Sequence, residues 1–328
     1  MSLPTRRSFI ATALTLAAGA TARAQVAKPN QLVTLIVPFP SGGTADATMR
    51  NLQPILQRAL NQTVIVENVA GASGTIGVGK LLAAPADGST LIFSGPSEAI
   101  LAPLTMHGVK YKSEDLRIVA GIGATRLVLV TRGNLGAATF GELVERLRDK
   151  SKPPLSYGSF GIGSFAHMAI EDMKMQLSFD AIHVPYKGAG TFITDIAGGH
   201  VDFGVLPLIG NVADLIKSGK LRALLFTDTS RSPQVPDVPS LAEVRELTNF
   251  DYAINGYIMV PKATPVAVVK RLSVAINICL ADPGFRQFME GTGAVPTAPN
   301  EPAEAERWYK TDIERYRKLA KAIRLEPS

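Results

Sequence analysis

The 328-residue chain predicts an α/β protein of two lobes, each a mainly parallel sheet flanked by helices, with two crossover strands between them. Three observations predict it. Short runs rich in Val, Ile and Phe alternate with amphipathic helical patterns along most of the chain, the signature of parallel α/β units with right-handed crossovers. Glycine-rich loops stand where such strands hand over to helices. Two extended stretches, near Ala120 to Thr131 and Phe250 to Val260, bracket a central block with its own strand and helix series.

In chain order, residues 1–24 read as an export leader of the twin-arginine (Tat) type. Arg6 and Arg7 precede Phe9 and an uncharged run from Ile10 to Ala22, and Ala22, Arg23, Ala24 form a small-x-small cleavage site before Gln25. The run is too short to span a bilayer. Strands are expected at Leu32 to Phe39, Thr63 to Glu67, Thr90 to Phe93, Leu127 to Thr131, Ile182 to Pro185, Val201 to Val205 and Leu221 to Thr227, all read as buried. Phe140, Leu143, Val144 and Leu147 mark one helix face, opened by a capping box of Thr139 and Glu142. Ser232 to Pro239 reads as a surface loop. Thr264 with Pro265 and Asp282 with Pro283 read as cap-plus-first-turn pairs, and Glu301 to Leu325 as a long charged helix. The expected division is residues 25–124 plus 253–328 for lobe 1 and 125–252 for lobe 2.

Composition narrows the function. Removing the leader takes away Arg6, Arg7 and Arg23 and no acid, so 34 basic residues become 31 against 28 acidic ones. Without a basic stripe interleaved with aromatics, such a balance gives little support to nucleic-acid binding. Cys279 is the only cysteine, so no intramolecular disulfide can form, and its apolar neighbours place it in a buried helix. His107, His167, His183 and His200 show no metal-ligand spacing. No second apolar stretch has the length of a membrane helix.

Three loops carry the chemistry. The first, Pro38 to Asp46, places Phe39, Ser41, Gly42, Gly43 and Thr44 between a strand and a helix, where unpaired helix N–H groups and the helix dipole suit a carboxylate. The second, Glu67 to Gly77, includes Asn68, Ala72 and Ser73. Neither fits a Walker or dinucleotide pattern, so no nucleotide and no other cofactor is expected. The third, Tyr157 to His167, repeats the scheme in lobe 2 with Ser164 near a helix start. Beyond it, Tyr186 and Lys187 follow a strand, the lysine as a countercharge or a solvated loop residue.

The blocks PFPSGGTAD from Pro38, ENVAGASGTIG from Glu67, ADGSTL from Ala86, GSFGIGSFAH from Gly158, HVPYKGAG from His183 and GKLRAL from Gly219 together resemble the Bug-type periplasmic receptors of tripartite tricarboxylate transporters. The resemblance extends over essentially the whole mature chain. It implies a type II periplasmic binding-protein fold, capture of a small organic carboxylate in the cleft, and delivery to the permease subunits of a tripartite carrier; hinge closure on the ligand and a monomer are expected with it. It assigns one carboxylate to Ser41, Gly42, Gly43, Thr44, Asp46, Asn68, Ala72 and Ser73, and selectivity to Ser164, His167 and Tyr186; Phe39, Ser94 and Phe165 complete the expected set. The sequence departs from the family pattern at Ser41, where proline is usual, at Phe165, where a polar residue is common, and at Glu98, where His or Asn is frequent. If Phe165 faces the cleft, an aromatic or apolar acid is favoured; if it faces the core, it says nothing.

Two rival classes remain. A ligand-reporting receptor for a sensor kinase would present the same closed surface. A secreted serine hydrolase would draw on Ser73, Ser94, Ser159 or Ser164 with His167 or His183, although no serine sits in a Gly-x-Ser-x-Gly elbow. The expectation is a binder and not an enzyme.

Overall fold

β-Branched and aromatic residues dominate the short strands because they pack well on a half-buried pleated surface, and in the computed structural model those strands are the framework that aims the loops. Residues 32–186, 189–208, 211–247, 252–323 and 325 are described; the leader, Lys187, Phe250 and Asp251 lie outside them.

Strand β1 (Val33–Val37) pairs in parallel with β2 (Val64–Asn68) and β3 (Thr90–Ser94). Helices α1 (Thr44–Leu60) and α2 (Thr75–Ala83) make the crossovers. After β3 come a π-helical turn (Ser97–Leu101) and the short α3 (Ala102–Thr105). The 17-residue β4 (Leu116–Arg132) leads to α4 (Phe140–Arg148), β5 (Ser156–Ser159), α5 (Phe165–Leu177), β6 (Ile182–Pro185), α6 (Ala189–Gly198), β7 (Phe203–Pro207), α7 (Val212–Lys217) and β8 (Leu221–Phe226). The chain returns through β9 (Ala253–Pro261) and closes with α8 (Val266–Ala281), α9 (Pro283–Gly291), β10 (Ala294–Pro296) and α10 (Pro302–Ala322).

The strand order is β2-β1-β3-β9-β4-β7-β5-β6, with β8 and β10 also on β4. Pairing is parallel within β1-β2-β3 and within β5-β6-β7, but the crossover strands, β8 and β10 join antiparallel. The mainly parallel reading therefore holds for the three-strand unit of each lobe and not for the strands added to it. β4 pairs with β9 from Leu116 to Arg126 and with β7 from Leu127 to Thr131, so one strand serves both sheets. Among the described residues β9 pairs with β3 and β4 alone.

Leu35, Ile36, Leu91, Ile92, Leu127 and Val128 are fully buried, and each such side chain contributes about 1.5–3 kcal/mol of hydrophobic stabilisation. The expected buried strand Ile182–Pro185 is instead a sheet edge, with Ile182 54% exposed. β5 was not anticipated: its SYGS sequence lacks an apolar run, and Gly158 is there because a Cβ would lie 2.1 Å from the Phe192 ring. Thr139 caps α4 by accepting from the Glu142 amide at 3.2 Å, while the Glu142 carboxylate takes the Ala138 amide at 2.7 Å instead of closing the box on Thr139. Asp282 caps α9 through the Phe285 amide at 2.9 Å, with Pro283 in the first turn. Thr264 is no cap: Pro265 occupies the cap position of α8, and Thr264 is buried behind it. The Ser232 to Pro239 segment is pinned by buried Val235 and Val238 and is only partly surface. Cys279 is fully buried in α8, where burial pushes its thiol up to about 12.

Candidate functional site: a cleft between three loops

Register brings the loops together. In the β1–β2 pair Val37 lies opposite Asn68, so the first and second loops leave the sheet side by side. In the β5–β6 pair Ser159 lies opposite Pro185, and the third loop leaves beside Tyr186 in the same way. Both sets emerge at the carboxyl ends of parallel strands, where open α/β sheets bind ligands.

The first loop is braced from behind. Gly42 turns the chain at φ +84° and donates its amide to Asp46 Oδ2 at 2.9 Å. Asp46 also takes Arg50 Nε and, at 3.0 Å, Asn68 Nδ2, and Asn68 reaches the Phe39 carbonyl at 3.2 Å. The Arg50 guanidinium and the Gly42 amide hold the Asp46 carboxyl at about 2. Through these bonds Asp46, Asn68 and Gly42 brace the first loop from behind. The cleft wall is made by Phe39, Pro40, Ser41, Gly43, Thr44 and Ala45. The Thr44, Ala45 and Asp46 amides that open α1 have no carbonyl one turn back to bond and no side chain caps them, while the Ala47 amide is taken by the Gly43 carbonyl at 2.9 Å.

The second loop holds Ala72 (φ 44°), Ser73 (φ 53°) and Gly74 (φ 87°) in the left-handed region in succession. Two of these are not glycine, at about 1–2 kcal/mol each. Gly71, Ser73 and Gly74 line the cleft and Ala72 does not. Gly74 precedes α2 with no side-chain cap, and a 3₁₀ turn (Ala72–Gly74) runs into the helix with the Ala72 carbonyl taking the Thr75 amide, so this second helix start is partly open.

In the third loop Ser164 caps α5, accepting from the His167 amide at 3.4 Å, and lines the cleft. His167 does not reach the cleft: it is buried, and its Nδ1 accepts the Gly163 amide at 3.0 Å. Its ring stacks on His183 at 4.1 Å, and His183 Nε2 meets Ser159 Oγ at 2.7 Å. Burial lowers both imidazoles, that of His183 to about 4. This Ser–His pair is the nearest approach to hydrolase geometry, but Ser159 is fully buried and bonded to the Gly161 carbonyl at 3.0 Å, bracing the loop. Phe165 borders the cleft yet is only 2% exposed, its ring fixed against Tyr252 and Tyr316 in the core, so it carries no message about ligand aromaticity. Tyr186 lines the cleft and stacks on Phe192. Ser94 is buried and not on the wall; its successors Gly95 and Ser97 are.

Two chambers sharing Phe39, Pro40, Ser97 and Ile254 make up the cleft. The loop chamber, of about 690 Å³, lies between the first and second loops, the turn before α3 and the third loop. The crossover chamber, of about 810 Å³, extends to Ile122–Thr125 of β4, Ile254–Gly256 of β9 and Met289. Sequence reasoning read the crossover stretches as links between lobes without naming their residues as cleft wall, and it did not single out Thr105 or Met106, which belong to no loop motif. Among the described residues the two chambers have no Lys, Arg, Asp or His on their walls, and Glu98 is their one acid. Glu98 is 1% exposed, its Oε1 accepts the Gly95 amide at 2.6 Å, and burial raises its carboxyl to about 7. A third cavity of about 340 Å³ lies beside α10; it shares Gly123, Ala124, Asn255 and Gly256 with the crossover chamber and has Arg126, Trp308, Asp312 and Arg315 on its wall.

The two-lobed fold agrees with the comparisons. The family described as tripartite tricarboxylate transporter family receptor matches residues 48–325. The chain belongs to that family. BugT of Bordetella pertussis is 34% identical to the receptor over 313 residues, covering 94% of this chain and 93% of BugT. A protein of Agrobacterium vitis from the TAR-I ttuE-ttuC' intergenic region is 30% identical over 304 residues, covering 92% and 86%. Among solved structures, the periplasmic binding protein BugD matches with a TM-score of 0.74 at 27% identity, covering 92% of this chain and all of BugD. R. palustris Rpa4515 with adipate matches with a TM-score of 0.76 at 27% identity, covering 92% and 99%. Fold and family are those of two-lobed solute-binding proteins and not of enzymes.

Proposed function

We propose that this receptor captures a small organic carboxylate in the interlobe cleft by hinge closure and presents it to the membrane subunits of a tripartite carrier. The observation that carries this reading is the convergence of the starts of α1, α2 and α5 on a cleft without a lysine or arginine among its described lining residues. Helix N-termini hold a carboxylate through N–H donors and dipole, without burying a cationic side chain. The adipate of the R. palustris relative supports a carboxylic acid as the ligand class.

On this reading Ser41, Gly43, Thr44 and Ser73 hold the carboxylate from lobe 1, and Ser164 and Tyr186 meet the ligand from lobe 2. The lobes comprise residues 25–124 plus 253–328 and residues 125–252, and ligand shifts the population towards the closed form by its differential contacts. The twin-arginine leader exports the receptor to the periplasm as a monomer, where the ligand is passed on chemically unchanged.

The test is a thermal-shift screen of residues 25–328 against mono-, di- and tricarboxylates, with the ligand recovered afterwards. Gly43→Val is the control variant: a Cβ there meets only the Pro40 carbonyl, at 3.7 Å, so the fold tolerates it while the new side chain occupies the loop wall. A saturable rise in Tm with an acid recovered intact, lost in Gly43→Val, is the expected result. Turnover of the acid, or undiminished binding by the variant, would reject the reading.

A further inference from the structure

Resting on that reading, we propose that Glu98 is the specificity-determining residue of the crossover chamber, selecting ligands whose far end carries an N–H donor, a primary amide or ammonium, over those ending in a second carboxylate. The carboxyl group belongs to the π-helical turn and sits beside Gly95, with Phe93, Ile122, Ile254 and Met289 on the surrounding wall. The starts of α2 and α5 line the loop chamber and that of α1 lines the crossover chamber, so a carboxylate held at the first two leaves the rest of its molecule pointing along the shared Phe39–Ile254 boundary towards Glu98 and the α1 start.

There the wall supplies apolar surface, small polar groups and one acid. A second carboxylate would meet Glu98 with the α1 start as its donors but no cationic side chain on the described wall to balance the two charges, and two carboxylates in so apolar a chamber cannot both stay ionised without a large penalty. An amide or ammonium meets an acceptor instead. Discrimination of this kind rests on repulsion as much as on attraction. The groups facing Glu98 do not neutralise it. Tyr111 donates its hydroxyl to the Glu98 main-chain oxygen at 2.5 Å, Tyr309 lies near with its own hydroxyl turned to the Ser113 carbonyl at 3.1 Å, and burial raises both phenols. The Gly95 amide and the Ser94 hydroxyl lower the Glu98 carboxyl, but burial outweighs them. It therefore becomes fully anionic, and most exclusive, above neutral pH.

The experiment uses three matched series, each a diacid and its monoamide: succinate with succinamate, adipate with adipamate, and terephthalate with 4-carbamoylbenzoate. Kd is measured by calorimetry at pH 8 and pH 5.5 on the wild type and on Glu98→Gln, which preserves shape and the acceptor for Gly95. For the best-binding pair the wild type should favour the monoamide by about tenfold at pH 8, the equivalent of one pKa unit. That ratio should shrink to within about threefold in Glu98→Gln, and also in the wild type at pH 5.5. A diacid bound as tightly as its monoamide by the wild type at pH 8, or a ratio unchanged in Glu98→Gln, would overturn the assignment while leaving carboxylate capture intact. Failure of every acid to bind would instead overturn carboxylate capture and this assignment with it.

Discussion

Gly163 is the point where the third loop presses on the end of α3, so a single methyl group there should act as a wedge. Its φ is +70°, and an added Cβ would lie 2.6 Å from Thr105 Cβ, 2.6 Å from Oγ1 and 2.7 Å from Cγ2, about 1 Å inside ordinary contact. Thr105 cannot swing away freely, because it is buried and its Oγ1 donates to the Leu101 carbonyl at 2.9 Å. Gly163→Ala therefore adds two penalties. The left-handed backbone costs roughly 1 kcal/mol in every folded form. The overlap costs about 1–3 kcal/mol, but only while the lobes touch. Opening relieves the second, so it appears as lost affinity of about 5- to 150-fold and not as lost stability. Tm should fall by only about 2–4 °C. Gly136→Ala is the control, since Gly136 has φ +89° and open space at its Cβ position: it should lose the same Tm and no affinity. Calorimetry with the best acid from the screen, together with X-ray scattering for lobe separation, measures both. A Gly163→Ala protein binding within twofold of the wild type would refute the wedge.

Ala72→Gly should relieve a left-handed backbone and raise stability by up to about 1 kcal/mol in urea melts, while loosening the second loop and weakening ligand binding; a less stable variant would show that the backbone there is not strained. His183, held at about 4 against 6.5 unfolded, contributes stability that is fully present above pH 6.5 and lost as pH falls towards 4. His183→Gln should therefore narrow the difference between urea midpoints at pH 7.5 and pH 4.5, and an unchanged difference would remove His183 from the acid response. For Glu98 the sign is opposite: its carboxyl is raised from 4.5 to about 7, so its contribution is full below pH 4.5 and lost as pH rises through 7. Glu98→Gln should accordingly gain stability relative to the wild type at pH 8 more than at pH 5, a trend that matching urea midpoints at both values would contradict.

The parallel units and their loops were legible because Val33–Val37 and Thr90–Ser94 are apolar runs of strand length and the glycines after them have no other use in such a place. Less legible was which loop residues face the ligand. Asp46 and His167 stand in the first turns of their helices, where a side chain reaches either forward into the cleft or back to a loop amide. Sequence spacing is the same for both, and only the bonds to Gly42 and Gly163 decide it. β5 escaped because its glycine answers to Phe192, far along the chain, and not to local propensity. The change of partner along β4 between Arg126 and Leu127 follows half-buried Ala124, Thr125 and Arg126 in an otherwise apolar strand. Glu98 stood out as a departure from the family pattern, but its burial in the chamber wall follows only from the packing of Gly74 and Gly95 against it.

The measurement closest to the central claim is a crystal structure of the receptor with the acid that gives the largest thermal shift. The account predicts the acid's carboxylate within hydrogen-bond reach of the α1 start at Gly43 to Ala45 and of Ser73, with its body towards Ser164 and Glu98. Density for the acid in the cavity beside Trp308, with the three-loop cleft empty, would contradict it.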